Sequence, residues 1–370
     1  MTLAPARPVL DPDALATAAA DTARAGSLTF LVGDQALTYR VEAGTVLESD
    51  DADGDTAVRL DRKAWDDLTG QIRSFINLYL AKELVFERGA FDHLGAWDRT
   101  LRYLHAGIPP YTPRDLGERD PAAVLTLEDS DEELRAQLET MGYLHLRGVF
   151  SAQEMATANA EVDRLAALAT PGDDQSWFVE TDEGQQLCRL VYATQRSELL
   201  QALEQDPRVT RLGTLIDPAL RIAPDRMEGS AVLIKVPGKT QGLSNIPWHQ
   251  DCGMGGHAIF CPSVSIGIQL TGSTPGSGNL LMVPGSQGQT LHYQWDRQVD
   301  APVVEINTAP GDVTVHIQDV MHASPKPSGE GGRRTMYVTH YPATLWEHIG
   351  PGQAYNDLVR NRTKEVGALA

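Results

Sequence analysis

Between Ser230 and Tyr341 the chain holds six short apolar or alternating runs, SAVLIKV, SVSIGIQL, NLLMVPG, VVEINTA, DVTVHIQ and RRTMYVTHY, separated by Gly, Pro and Ser. Six such short runs in about 110 residues suit antiparallel pairing better than a parallel α/β sheet. The segment is therefore expected to close as a sandwich or small barrel. Just upstream, Ser130 and Ser151 each precede a glutamate by three residues, the form of a capping box, so helices should begin after both. GYLHLRGVF, between them, alternates like a strand.

The N-terminal third has a different rhythm. SLTFLVG and ALTYRVEAG bracket a turn at Gly33-Asp34 and are followed by TVLESDDADGD and TAVRL, which reads as an antiparallel meander. Asp61 suits the N-cap of RKAWDDL, while Ile72, Phe75, Ile76, Tyr79 and Leu80 mark one helical face. A strand in LVFERG and a helix in FDHLGAWDRTLRYL complete this part. Residues 1–20, rich in Ala and Pro without a strong apolar period, read as a poorly ordered arm or an isolated helix. Gly107-Ile108-Pro109-Pro110 and the aperiodic stretch to Pro121 read as a linker. The expected layout is α+β in two domains: an arm over 1–22, a small domain over 23–107, the linker over 108–121, and a β-rich domain with flanking helices over 122–370.

Charge narrows the partners. With 31 Lys+Arg against 50 Asp+Glu, a net charge of -19 repels nucleic acid and anionic membrane surfaces. No stretch approaches the roughly 18 consecutive apolar residues of a membrane helix, and the first residues lack the order of a secretion signal. A cytoplasmic protein is expected. Cys188, Cys252 and Cys261 make no CxxC pair, so reduced thiols are expected rather than a disulfide framework or a thiolate zinc site.

WHQDCG sets His249 and Asp251 two apart, which in an extended strand directs both side chains to one face. His322 follows 73 residues after His249, in the loop DVMHASP behind the strand DVTVHIQ. Two imidazoles and one carboxylate form a facial set that leaves three positions open on iron(II), whereas zinc is usually given four ligands or one open position. An H-x-D taken alone is more often a surface or loop pair; the ordered set of three, with a downstream arginine pair, is what points to metal. A keto acid bound to such a metal needs its far carboxylate neutralised, and an arginine fork does this well. Arg333 and Arg334 open the strand RRTMYVTHY, and strand alternation lets only one of them enter the site. Ser324, two residues past His322, could add a hydroxyl. Trp248 reads as packing, and His316 as a packed or hydrogen-bonded strand residue. His257, His292 and His340 lack ligand spacing, with His257 and His340 the candidates to line a pocket.

WHQD, GNLLMVPGSQ, PGDVTVHIQDVMH and RRTMYVTHY, in this order, resemble the phytanoyl-CoA dioxygenase family, and GYLHLRGVFSAQEM resembles its usual opening. The resemblance spans roughly Asp131 to Pro342. It implies a double-stranded β-helix (jelly roll) with flanking helices, Fe(II) on His249, Asp251 and His322, 2-oxoglutarate and O2 as cosubstrates, and release of succinate and CO2. It further implies Ser324 and Lys235 at the 2-oxoglutarate site, and counting back from Tyr341 favours Arg334 over Arg333. The carboxylate of Asp251 favours hydroxylation, since the related iron halogenases carry a small residue there. Two departures stand out. Gly267 lies where many members have an aromatic residue, predicting a roomier pocket, and the PGSH turn here reads PGSQ, with Gln287. The N-terminal strands and helices from about Ala23 to Ala106 resemble the sterol-carrier-protein-2-like fold. That suggests a hydrophobic small-molecule substrate such as a terpenoid, lipid, polyketide or carrier-bound acyl group, or a domain that only braces the oxygenase or builds a homodimer. The rival readings are a non-catalytic lipid-binding protein and a cupin-like metal enzyme that does not use 2-oxoglutarate.

Overall fold

The structure, a computed structural model, describes residues 3, 5, 7–20, 22–222, 230–237, 245–252, 262–290, 301–329 and 331–343. Two compact units divide between Thr112 and Pro113, the first also taking in Cys252 and residues 288–290.

The first unit runs α1 (Pro12–Ala19), β1 (Leu28–Val32), β2 (Gln35–Glu42), β3 (Thr45–Ser49), β4 (Thr56–Leu60), α2 (Arg62–Thr69), α3 (Phe75–Leu80), β5 (Val85–Arg88) and α4 (Phe91–Ala106). Gly33 supplies the positive φ of 59° at the two-residue turn that brings Val32 opposite Gln35. The sheet order is β3-β2-β1-β4-β5, with β1 and β4 parallel. Asp61 caps α2 by accepting from the Ala64 amide, as its position predicts, and Ser74 caps α3 in the same way. The core is filled by large rings, with Phe30, Tyr39, Trp65 and Trp97 all at 1 % exposure or less. The N-terminal segment differs from a loose arm. Asp11 and Pro12 start α1, Ala18 and Ala19 are buried, and Thr100 Oγ1 donates to the Ala18 carbonyl at 2.9 Å, so the helix is docked on α4.

The second unit runs α5 (Asp131–Met141), β6 (Tyr143–Leu146), α6 (Ala152–Leu168), β7 (Ser176–Thr181), β8 (Gly184–Leu190), α7 (Glu198–Glu204), α8 (Pro207–Gly213), β9 (Arg221–Ile222), β10 (Ala231–Lys235) and β11 (Ile246–His249). It continues with β12 (Val264–Gln269), β13 (Leu280–Met282), β14 (Val304–Ile306), β15 (Val313–Ile317), β16 (His322–Ser324) and β17 (Arg333–Tyr341). Ser151 forms the full capping box with Glu154, a motif element worth about 1 kcal/mol. Gly142, at φ 82°, ends α5 so abruptly that β6 starts at the next residue.

Each of the six apolar runs holds a strand. They build two antiparallel sheets: β6-β15-β12-β17-β10-β8-β7, with β9 beside β17, and β11-β16-β13-β14. Alternation divides the larger sheet into two chemistries. Val264, Ile266, Ile268, Val313, Val315, Met336 and Val338 share one buried cluster with Leu134 and Leu138 of α5, Val162 of α6 and Leu212 of α8. Fully burying each such side chain contributes roughly 1.5–3 kcal/mol. On the three central strands β15, β12 and β17 the residues of opposite parity are Ser265, Gly267, Gln269, Thr314, His316, Arg333, Thr335, Tyr337, Thr339 and Tyr341, so that part of the other face is largely polar. Among the described residues no helix is long and apolar enough to cross a membrane.

Candidate metal centre

β11 carries His249 at its end and pairs with β16, setting His249 opposite His322. Asp251 lies just beyond β11, and between the two ligands Gln250 turns away to donate its amide to the Asp319 carbonyl at 2.5 Å. Donor atoms of His249, Asp251 and His322 all lie within 4.8 Å of one another. The two imidazole rings are 4.1 Å apart, centroid to centroid.

The ring orientations fit a metal. His249 Nδ1 is 2.8 Å from the Pro247 carbonyl and His322 Nδ1 is 3.0 Å from that of Val320. Each Nδ1–H donates to the backbone, so each Nε2 keeps its lone pair, the form in which a ligating histidine is usually held. Those Nε2 atoms stand 3.1 and 3.7 Å from Asp251 Oδ1. Burial, then the neighbouring His249, keeps His322 well below the ordinary imidazole range and hence neutral. Burial alone would raise the Asp251 carboxyl, but His322, His249 and His316 outweigh it and hold it well below the usual carboxylate range. Two imidazoles and one carboxylate converging on one point are the donor set of a mononuclear iron site with open positions. The residues present therefore fit Fe(II).

Beside Ser324 lies a buried cluster of two basic side chains. Arg333 is 1 % exposed; it donates from Nε to Thr335 Oγ1 at 2.9 Å, from Nη1 to the Gly278 carbonyl at 3.0 Å and Ser324 Oγ at 3.2 Å, and from Nη2 to Tyr337 Oη at 2.8 Å. Lys235, opposite it in register and equally buried, donates to the carbonyls of Ser324 and Pro325. No carboxylate among the described residues forms an ion pair with either cation. Burial, and then Arg333, lower the Lys235 ammonium to about 6.

Arg334 does not join this cluster, contrary to the count from Tyr341. It shares the parity of Met336 and Val338, so its guanidinium leaves on the helix-covered face and pairs with Asp163 at 2.7 Å. His340 is on that same face against Gly213 of α8, not in a pocket. Gly267 leaves no hollow either. A Cβ there would lie 2.7 Å from Thr314 Oγ1 and 3.1 Å from Tyr337 Cε1, because Tyr337 on the neighbouring strand fills the space. Gln287 reaches the Glu139 carbonyl at 2.8 Å, tying the turn to the end of α5. His257, His292 and Cys261 lie outside the described residues. His316, read from the sequence as a packed or hydrogen-bonded strand residue, brings Nε2 to 3.2 Å from Asp251 Oδ2.

A family model described as phytanoyl-CoA dioxygenase (PhyH) matches residues 138–335. Among solved structures, the non-heme alpha ketoglutarate dependent epimerase SnoN from nogalamycin biosynthesis is 22% identical with a TM-score of 0.48, covering 58% of this chain and 83% of its own. AviO1 from Streptomyces viridochromogenes Tue57 is 21% identical with a TM-score of 0.46, covering 58% and 96%. EctD from S. alaskensis with bound Fe is 19% identical with a TM-score of 0.47, covering 61% and 83%. No curated protein matches.

Proposed function

The chain belongs to the phytanoyl-CoA dioxygenase family, and on that premise we propose that this iron(II)- and 2-oxoglutarate-dependent oxygenase hydroxylates an unactivated C–H bond of a small molecule. His249, Asp251 and His322 would hold the iron. Arg333, Ser324 and Lys235 would hold the far carboxylate of 2-oxoglutarate, with Arg333 in the role that the sequence count gave to Arg334.

One observation carries the cosubstrate assignment: the buried Arg333 guanidinium, with the buried Lys235 amine opposite it in register, has no carboxylate partner among the described residues. An uncompensated buried charge costs several kcal/mol, roughly, so a chain that keeps one beside a second basic group is built to receive an anion. Ser324 links the two halves of the site, since it lies two residues past His322 on β16 and takes a hydrogen bond from Arg333. Tyr337 and Thr335 clamp the guanidinium from its other edges and so fix the direction of its remaining Nη2 N–H. Bound iron would supply oxygen activation, with O2 as the oxidant: one oxygen atom leaves in succinate as the keto acid is oxidised with loss of CO2, and the other enters the substrate C–H bond. The protein's own part is to orient iron and keto acid and keep the site dry.

The hydrophobic substrate classes rested on the sterol-carrier resemblance of the first unit. Its sheet order accords with a small α+β domain, but its core is filled by Phe30, Tyr39, Trp65 and Trp97, which favours a scaffold role over carriage of a lipid. The client is accordingly proposed only as a small molecule, with a cytoplasmic setting for the reaction.

The test is anaerobic addition of Fe(II) and then 2-oxoglutarate, followed by the visible charge-transfer band of the chelate. The band is expected in the wild type and in Arg334→Ala, and is lost in His249→Ala. In Arg333→Ala the 2-oxoglutarate needed to form it rises roughly 100-fold, as befits loss of a charge-assisted hydrogen bond. A folded wild type without the band, or a requirement for 2-oxoglutarate that follows Arg334 instead, refutes the assignment.

A further inference from the structure

His316 belongs to no step described so far, yet its surroundings are those of a built contact. It sits on β15 between Tyr143 and Ser265 in register, with the apolar Val313 and Val315 on the opposite face. It is 1 % exposed, its ring is 4.6 Å from that of His322, and its Nε2 is 3.2 Å from Asp251 Oδ2. Its other nitrogen, Nδ1, is buried without a hydrogen-bond partner.

Those two facts select one tautomer. With the proton on Nε2, the imidazole donates to the carboxylate and leaves only a bare lone pair at Nδ1. With the proton on Nδ1, a buried N–H would go unpaired while two lone pairs faced each other at Asp251, each of which is costly. His316 also lies outside the set of three residues whose donors converge within 4.8 Å. The contact is thus with the carboxylate oxygen that the triad leaves over, since His249 and His322 both approach Oδ1.

Resting on the metal-centre reading above, we propose that His316 is the positioning residue of the centre: its Nε2–H holds Asp251 Oδ2, so that the carboxylate meets the metal through Oδ1 alone. A carboxylate free to rotate can take two positions on a metal. Tethered by His316, Asp251 takes one and leaves three for the keto acid and oxygen. Partners of metal ligands in this position typically govern metal affinity by 10- to 100-fold.

The experiment uses the full chain, stripped of metal, titrated anaerobically with Co(II) by calorimetry and by visible absorption. His316→Gln keeps a donor at the same reach, and His316→Met fills similar volume without one; thermal melting checks that both fold. The expected result is Co(II) affinity within about threefold of wild type and an unchanged visible spectrum for the Gln variant, with affinity 10- to 100-fold weaker for the Met variant. A folded Met variant that binds as tightly as wild type overturns the proposal. So does a Gln variant whose spectrum changes coordination, because His316 would then be a ligand. Should the Met variant not fold, the Gln variant decides alone: near-full affinity with an unchanged spectrum supports the proposal, and a tenfold loss or more overturns it. A wild type that binds no Co(II) removes the metal-centre reading itself, whereas wild-type binding with an indifferent Met variant removes this inference only.

Discussion

If Lys235 meets 2-oxoglutarate as proposed, binding should be sensitive to pH in a direction that follows from its surroundings. Burial and the adjacent Arg333 lower it from 10.5 to about 6, so in the folded protein without an anion it is roughly nine-tenths neutral at pH 7. The folded value lies below the unfolded one, so between about pH 6 and pH 10.5 the unfolded chain binds more protons. The cost of burying the amine is then full below pH 6 and is relieved as pH rises through that window. A carboxylate arriving beside Lys235 and Arg333 reverses the balance by favouring the ammonium, so binding should take up close to one proton at pH 7. If the bound amine titrates above about pH 9, the dissociation constant of 2-oxoglutarate should rise about fiftyfold between pH 6 and pH 8. Anaerobic calorimetry of metal-loaded protein, in buffers of different ionisation enthalpy, measures the proton uptake directly. Lys235→Met should flatten the pH dependence and abolish the uptake. Uptake below about 0.2 proton at pH 7, with affinity constant to within twofold from pH 6 to pH 8, would show that Lys235 does not meet the anion.

Gly267→Phe should cost about 1–3 kcal/mol in denaturant unfolding, since its Cβ would fall 2.7 Å from Thr314 Oγ1. It should also weaken 2-oxoglutarate binding by displacing Tyr337 from Arg333, and unchanged affinity would mean that Tyr337 does not orient the guanidinium. Ile266→Ala, in the centre of the helix-covered face, should cost about 2–5 kcal/mol of unfolding free energy. A loss under about 1 kcal/mol would mean that this face is not the close-packed core.

The triad was legible because it depends on local geometry: an i, i+2 pair in extended chain and a histidine at a strand end need no knowledge of distant pairing. The inward direction of Arg333, one of the two candidates, was also within reach of the sequence, although the count favoured Arg334. In RRTMYVTHY the apolar Met336 and Val338 mark the core parity, which assigns Arg334 to the helices and Arg333 to the opposite face; counting from Tyr341 in a family register set this internal phase aside. The same rule, applied to Val313 and Val315, sends His316 toward the metal ligands. Gly267 is a different case. Its apparent vacancy is filled by a residue 70 positions away, and only the pairing of β12 with β17 reveals it. The docking of α1 is likewise tertiary, although its start at Asp11-Pro12 has a capping signature.

Alternation also separates structure from function within the larger sheet. Hydrophobic residues of one parity are accounted for by the helices they bury. Polar residues of the other parity have no such account, because a β-sandwich normally fills its inner face with apolar side chains. Part of the polarity is self-satisfying, as in the chain from Arg333 through Thr335 to Gln269 and Thr314. What remains after those bonds are counted is the Arg333 charge with the basic Lys235 beside it, and a donor at His316 aimed at a carboxylate. Neither is explained by packing, and each falls where the proposed chemistry has a use for it: the first where an anion must be held, the second where a metal ligand must be kept from turning.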